Sequence, residues 1–311
     1  MKTTKSPLSI VFFLLFATVA GRVFGAQQGP VAGTVPVSII VSVEPKHGKD
    51  IPNVYKEDVR VFQGRDRLPV TDWNPCNGEQ VGLQLMVLVD EATTSDISLQ
   101  FGDLKSFMEA QPATTAIGVA YARNGMAQIL VQPTRDHAQA GKALRLPVPQ
   151  EAIASIYLSV TDLIKGWSQT SACREILMVS SGIDYLQGGP QDSYLDEAIE
   201  QAQRAAIQVY AIYAGAPGHA AHSFWRLNWG QNNLAKLAEA TGGEFYIQGL
   251  TPAVSFAPYL SELSEKFKRQ YKLTFPAKAG NKPGLERVRV ETEVTNAELV
   301  AQEQVYIPAA K

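Results

Sequence analysis

The sequence lacks any strong imbalance of charge. Its 28 Lys and Arg stand against 30 Asp and Glu, a net charge of −2. A chain so balanced has no electrostatic footprint for nucleic acid or for an anionic membrane surface. It also lacks an apolar run long enough to span a bilayer, which needs about 20 residues. The run Leu8 to Ala20 is shorter; with Lys2 and Lys5 before it and Gly21, Gly25 and Ala26 after it, residues 1–26 read as a secretory leader. No cysteine follows that leader, which argues against a bacterial lipid anchor. No Gly-x-Ser-x-Gly elbow is present, and the four histidines lack an evident Ser or Cys partner, which argues against a hydrolase. Internal repeats and low-complexity tracts are absent too. What remains is an exported chain, periplasmic or extracellular, long enough for roughly two domains.

The clearest positive signal is Leu83-Gln-Leu-Met-Val-Leu-Val-Asp90, followed by Glu91-Ala-Thr-Thr-Ser95. An apolar run ending in one aspartate predicts a buried parallel strand with its carboxylate at the C-terminal end. In open α/β sheets that edge is where ligands bind. Strands and helices alternate from there to residue 269. Strands are expected at 83–90, 116–121, 126–131, 175–180, 207–214 and 244–247, with an Asn124-Gly125 hairpin turn. Helices are expected at 96–110, 136–145, 192–206, 231–241 and 253–269. Ile153, Ile156, Tyr157, Val160, Leu163, Ile164 and Trp167 form one more helical stripe.

The flanks read differently. Val35, Val37, Ile39, Val41 and Val43 alternate with Pro36, Ser38, Ile40, Ser42 and Glu44, the period of a half-buried strand. Residues 58–62 and 68–73 continue this texture, and 271–275, 287–293 and 304–307 return to it. Neither flank has enough strands to close a core alone. The expected organisation is a β-segment over 30–80, an α/β domain over 81–269 and a β-segment over 270–311. The two β-segments would form one β-sandwich around or beside the α/β domain.

The α/β part resembles the von Willebrand factor type A domain. The resemblance rests on residues 85–90 with their trailing hydroxyls, the Asn124-Gly125 hairpin, Ile176-Leu-Met-Val-Ser-Ser-Gly182, Ala206-Ile-Gln-Val-Tyr-Ala-Ile212 and Leu234-Ala-Lys-Leu-Ala-Glu-Ala-Thr-Gly-Gly-Glu-Phe245. With Val54-Tyr-Lys-Glu-Asp-Val-Arg-Val-Phe-Gln-Gly64 before it and Tyr271-Lys-Leu-Thr-Phe-Pro276 after it, the mature chain is similar to a family of exported bacterial proteins related to that domain. The resemblance implies a doubly wound, mostly parallel sheet with one antiparallel edge strand and helices on both faces. It also implies binding rather than catalysis.

The family's adhesion site holds a divalent ion through Asp-x-Ser-x-Ser, a Thr in a second loop and an Asp after the fourth strand. Here Asp90 fills the first position, Ala92 replaces the first Ser and Thr94 takes the second. Ser181 stands where the last Asp is expected, and Ser155 is the candidate for the Thr. Asp184 and Glu91 are nearby carboxylates, although Asp184 also reads as a cap for its own loop. So thin a donor set leaves two readings open, no stable metal or a weak Mg²⁺ or Ca²⁺ site. Asp90 in turn is either a ligand contact or a helix cap.

The implied topology sets the first and fourth strands side by side. Cys76 precedes the first strand and Cys173 the fourth, so a bridge at the bottom edge is expected; the alternative is two unrelated buried thiols. The segment 215–230 reads as a long aromatic loop on the face of Asp90 and Ser181. Its Phe224, Trp225, Arg226 and Trp229 either meet a partner or fold back over the sheet edge. His219 and His222 form a weak His-x-x-His signal for zinc. The functional expectation is a protein- or peptide-binding adhesion module, without enzymatic activity. The competing expectation is a structural scaffold of a cell-envelope assembly that works through its β-sandwich.

Overall fold

A computed structural model describes residues 33–149, 154–247 and 253–310. The expected leader and Ile153 lie outside the described residues. The chain opens with β1 (Thr34–Pro45), β2 (Val59–Gln63), β3 (Asp66–Leu68) and β4 (Asp72–Pro75). The α/β layer follows: β5 (Leu83–Asp90), α1 (Phe101–Glu109), β6 (Thr115–Arg123), β7 (Met126–Thr134), α2 (His137–Lys142), α3 (Ile156–Gly166), β8 (Cys173–Ser180), α4 (Ser193–Ala205), β9 (Ile207–Tyr213), α5 (Phe224–Ala240), β10 (Phe245–Tyr246) and α6 (Ala257–Phe267). The end returns to strands: β11 (Gln270–Lys278), β12 (Gly284–Glu286), β13 (Val288–Thr292), β14 (Ala297–Ala301) and β15 (Val305–Ile307).

The central sheet runs β10-β9-β8-β5-β6-β7, parallel except for β7. This is the doubly wound sheet with one antiparallel edge strand that the resemblance implied. Its inner strands are apolar on both faces because both faces are covered. Leu85, Val87 and Val89 of β5 pack with Leu104 and Met108 of α1 and Leu260 and Leu263 of α6. Met86 and Leu88, pointing the other way, pack with Val160 of α3, Ala198 of α4 and Leu237 of α5. β5 and β8 are neighbours in parallel register from Leu83↔Cys173 to Val89↔Val179.

The two ends of the chain build a β-sandwich together. β1 pairs antiparallel with β11 from Thr34↔Lys278 to Ser42↔Gln270, within the sheet order β14-β1-β11-β4. The strands β13-β2-β3 and the pair β12-β15 form the facing layers. Val37, Ile39, Val41, Val59, Val61, Leu273 and Phe275 share one core. β1 is not simply half-buried. Residues 39–43 are all buried, because Ile40 joins the core of the α/β layer while Ile39 and Val41 face the sandwich.

Several boundaries differ from the sequence reading. The expected strand 68–73 divides into β3 and β4, with Pro69 between them and unable to donate a ladder hydrogen bond. β3 pairs with β2, whereas β4 crosses to pair with β11. The expected helix 96–110 begins as a tight helical turn over Ser95–Gln100. α2 ends at Lys142, three residues early, which frees Arg145 to donate its amide to the Tyr121 hydroxyl (2.7 Å). α5 begins at Phe224 rather than 231, so Phe224, Trp225 and Trp229 sit on a helix and not in a loop. Ser223 explains this: its Oγ accepts the Arg226 amide hydrogen and caps the helix.

Cys76 and Cys173 form a disulfide. It ties the end of β4 in the sandwich to the start of β8 in the α/β layer. A buried polar seam runs alongside. Gln270 Nε2 donates to the Tyr210 hydroxyl (2.7 Å) and to Gln208 Oε1 (2.9 Å), and Gln208 Nε2 donates to the carbonyl of Ile40 (3.3 Å).

Candidate functional site at the strand C-termini

Asp90 ends β5 and is only 4% exposed. Its Oδ1 accepts the Ala92 amide hydrogen at 2.8 Å, and its Oδ2 accepts the Ser180 hydroxyl hydrogen at 2.6 Å. Ser180 Oγ in turn accepts the Gly182 amide hydrogen at 2.9 Å. The Thr93 hydroxyl donates back to the Asp90 carbonyl at 2.8 Å, which closes the turn. Burial pushes the Asp90 carboxyl up to about 6, against the pull of Ser180 and Ala92.

The remaining candidates divide into separate places. Ser155 caps α3, its Oγ accepting the Tyr157 amide hydrogen at 3.2 Å. It lines a small cleft with Asp90, Asn124 and Gly125, of about 10 Å³. That is room for about one water. Thr94 turns instead to a cleft of about 250 Å³ shared with Ile97, Gln100 and Phe256. Ser181 is buried, and its Oγ accepts the Ile183 amide hydrogen at 3.4 Å. It is therefore Ser180, one residue earlier than expected, that meets Asp90.

The two spare carboxylates are committed elsewhere. Asp184 Oδ1 accepts the amide hydrogens of Leu186 (2.6 Å) and Gln187 (2.8 Å), capping its own loop. Glu91 is ion-paired with Arg145, and its Oε2 accepts the Val148 amide hydrogen at 2.6 Å. The donor set does not fit a hard divalent ion. One carboxylate faces the cleft with both its oxygens already bonded, and Ala92 offers no oxygen side chain. Among the described residues no group of three or more His, Cys, Asp and Glu is placed to hold a metal. His222 is exposed beside α5, and the side chain of His219 lies outside the described residues.

One further acidic pair, Asp184 and Asp192, comes together across a glycine-rich loop. Asp192 caps α4 through the amides of Tyr194 and Leu195. Burial, with the Asp184 carboxyl adding to it, pushes Asp192 up to about 6. One Oδ2 on each of these residues is buried without a hydrogen-bond partner. The signal was the spacing Asp184 to Asp192 across one glycine-rich loop, which sequence periodicity does not read.

The rim above this site is apolar. Phe224 and Trp225 are 58% and 65% exposed, their rings 5.7 Å apart and edge-on. Trp229 continues the row, 6.4 Å from Trp225 and half-buried, and Arg226 is exposed. Beneath them Ile183, Ala216 and Ala220 cluster with Tyr185 and Leu227, which locks the loop after β8 against that after β9. The apolar cover at this edge is thus Leu227, while Phe224 and Trp225 face outward.

No family model and no curated protein matches the sequence. Among solved structures the chain is similar to an aerotolerance-related membrane protein from Bacteroides fragilis, at 12% identity and a TM-score of 0.45, over 60% of this chain and 98% of that one. It is also similar to the human COPII-coat protein Sec24c, at 8% identity and a TM-score of 0.41, over 81% of this chain and 46% of that one. A third is the VWA domain of SpRpn10, at 14% identity and a TM-score of 0.35, over 47% of this chain and 85% of that one. The architecture described above stands on its own strand order and register.

Proposed function

We propose that this protein is an exported interaction module that binds a protein or peptide partner on the rim at the C-terminal ends of its parallel strands, without a metal ion and without catalysis. The observation that carries the reading is where the exposed apolar side chains lie. Leu99 follows β5, Leu186 follows β8, Phe224 and Trp225 follow β9, and Val254 follows β10, all on one edge of the sheet and all more than half exposed. Exposed aromatic anchors beside an arginine are the residue types that dominate binding energy at interfaces. A leader-like N-terminus and a buried disulfide support an oxidising compartment, periplasmic or extracellular. Ser180, the serine nearest a carboxylate, donates its hydroxyl to that carboxylate and has no histidine partner among the described residues, which supports the absence of hydrolase chemistry.

Affinity capture with the mature chain, its Phe224→Ala and Trp225→Ala variants, and chelator-treated protein tests this. Loss of a specific partner in both variants, with unchanged melting and no effect of chelator, is the expected result. A partner retained equally by both variants would instead favour the scaffold that works through the β-sandwich. A partner lost on chelation would restore a metal-dependent site.

A further inference from the structure

A cleft of about 370 Å³ lies at the opposite end of the sheet, where the starts of β8 and β9 meet β1, β11 and the end of β15. We propose that it binds a small anionic sugar, one carrying a phosphate or a carboxylate. Three cations line it, Arg174, Arg204 and Lys272. Arg174 is 7% exposed and, among the described residues, donates only to neutral carbonyls, Ala205 at 2.6 Å and Trp167 at 3.5 Å. Lys272 Nζ donates to the carbonyl of Ser171 at 2.7 Å. Neither is ion-paired among the described residues, whereas Arg204 is paired with Glu200.

A buried positive charge is ordinarily paired with a carboxylate. Here the buried Arg174 and the half-exposed Lys272 share one cleft whose lining residues include no carboxylate. Both are held below their usual basicity: Arg174 by burial, Lys272 by burial and then by the charge of Arg174. An anion entering the cleft would relieve this repulsion and gain charge-assisted hydrogen bonds. The last carbonyls of α4 supply only partial negative charge, through Ala205.

The walls suit a sugar body rather than a bare ion. The Tyr306 ring, with the Arg204 guanidinium 4.9 Å from its centre, stands with Pro36 and Pro308 as an apolar wall. Ser38 and Thr170 bring hydroxyls to the same cleft. The volume lies within the range of small-molecule sites.

The test is calorimetric titration of the disulfide-intact protein at low salt with glucose 6-phosphate, glucuronate, glucose and inorganic phosphate. The two charged sugars separate phosphate from carboxylate recognition. Saturable binding of at least one of them, about tenfold tighter than glucose or phosphate, is expected. High salt and Lys272→Gln should each weaken it by about the same factor. Arg204→Gln, on the exposed side of α4, gives the second reading should Lys272→Gln fail to fold. Four outcomes overturn the proposal: no saturable binding by either charged sugar, equal binding of glucose, equal binding of phosphate, or unchanged affinity in whichever of these variants folds.

Discussion

Ser180 at the end of β8 donates its hydroxyl hydrogen to Asp90 at the end of β5, across 2.6 Å. A side chain from the neighbouring strand thus fills a carboxylate oxygen that would otherwise face the rim. The bond does not offset the burial of the charge, and the carboxyl sits at about 6 instead of its ordinary 3.8. The folded state therefore holds this proton more tightly than the unfolded chain. Its contribution to stability is fully present below pH 3.8 and is lost as pH rises through about 6.

Asp90→Asn removes that loss. The amide keeps an acceptor for Ala92 and offers a donor to Ser180. Urea melts are expected to show the variant more stable than the parent at pH 8, by up to about 3 kcal/mol, with the gap closing towards pH 4. An unchanging gap across that range would show that Asp90 does not titrate as described.

The neighbouring of the first and fourth strands was implied by the resemblance in sequence, but the pairing at their upper end was not. It follows from the observed register, Leu83↔Cys173 to Val89↔Val179, beyond which the Ser180 hydroxyl meets Asp90. Motif alignment points to Ser181 instead, because it counts positions but not the direction a side chain takes at a strand end. The helical start of α5 was missed for another reason. Gly230 and the exposed Phe224, Trp225 and Arg226 give residues 224–230 no amphipathic period, so only the Ser223 cap marked the helix. The inner strands were plain because β5 and β8, buried on both faces, read as unbroken apolar runs. β12 and β14 were not, because they are short and only partly buried.

The disulfide joins sandwich to sheet across a sequence separation of 97 residues. Replacing Cys76 and Cys173 together by serine is expected to cost about 4–5 kcal/mol in the chain-entropy account. Both sulfurs belong to buried residues, so two buried hydroxyls would add to that cost. Denaturant melts of the double variant, compared with the oxidised parent, measure it. A midpoint within error of the parent would mean that the packed seam between the layers suffices without the bridge.

Glu175 lies in the middle of the same seam, and both its oxygens lack a hydrogen-bond partner. Burial drives its carboxyl well above the usual range, and Gln270, whose Oε1 also lacks a donor, is its neighbour. A neutral acid O–H supplies the missing donor. Glu175→Gln also supplies one; it should match the parent below about pH 4.5 and become the more stable of the two as pH rises from there, because only the parent must keep a proton that its unfolded chain gives up. Glu175→Ala leaves a void and an orphaned amide, and is expected to lose about 2–4 kcal/mol. Thermal melts between pH 4 and 10 compare the three. A glutamine variant as unstable as the alanine one would show that the group is not protonated in the fold.

The aromatic rim depends on two glycines that let backbone meet backbone. Gly182, after β8, has φ +69°, and a Cβ there would stand 2.2 Å from the Gly230 carbonyl oxygen and 2.6 Å from Leu234 Cγ. A Cβ on Gly230 would stand 2.5 Å from the Ser181 carbonyl oxygen. Neither backbone can yield without moving α5 off the sheet edge, and α5 carries Phe224, Trp225 and Trp229. Gly230→Ala is therefore expected to do two things at once. It should cost about 2 kcal/mol or more of stability, as overpacking does. It should also raise hydrogen exchange along residues 216–230 while leaving the sandwich strands protected. If partner binding belongs to the rim, it should fall with this variant although no rim side chain has changed. Unaltered exchange at 216–230 would mean that α5 does not rest on the Gly182–Gly230 contact.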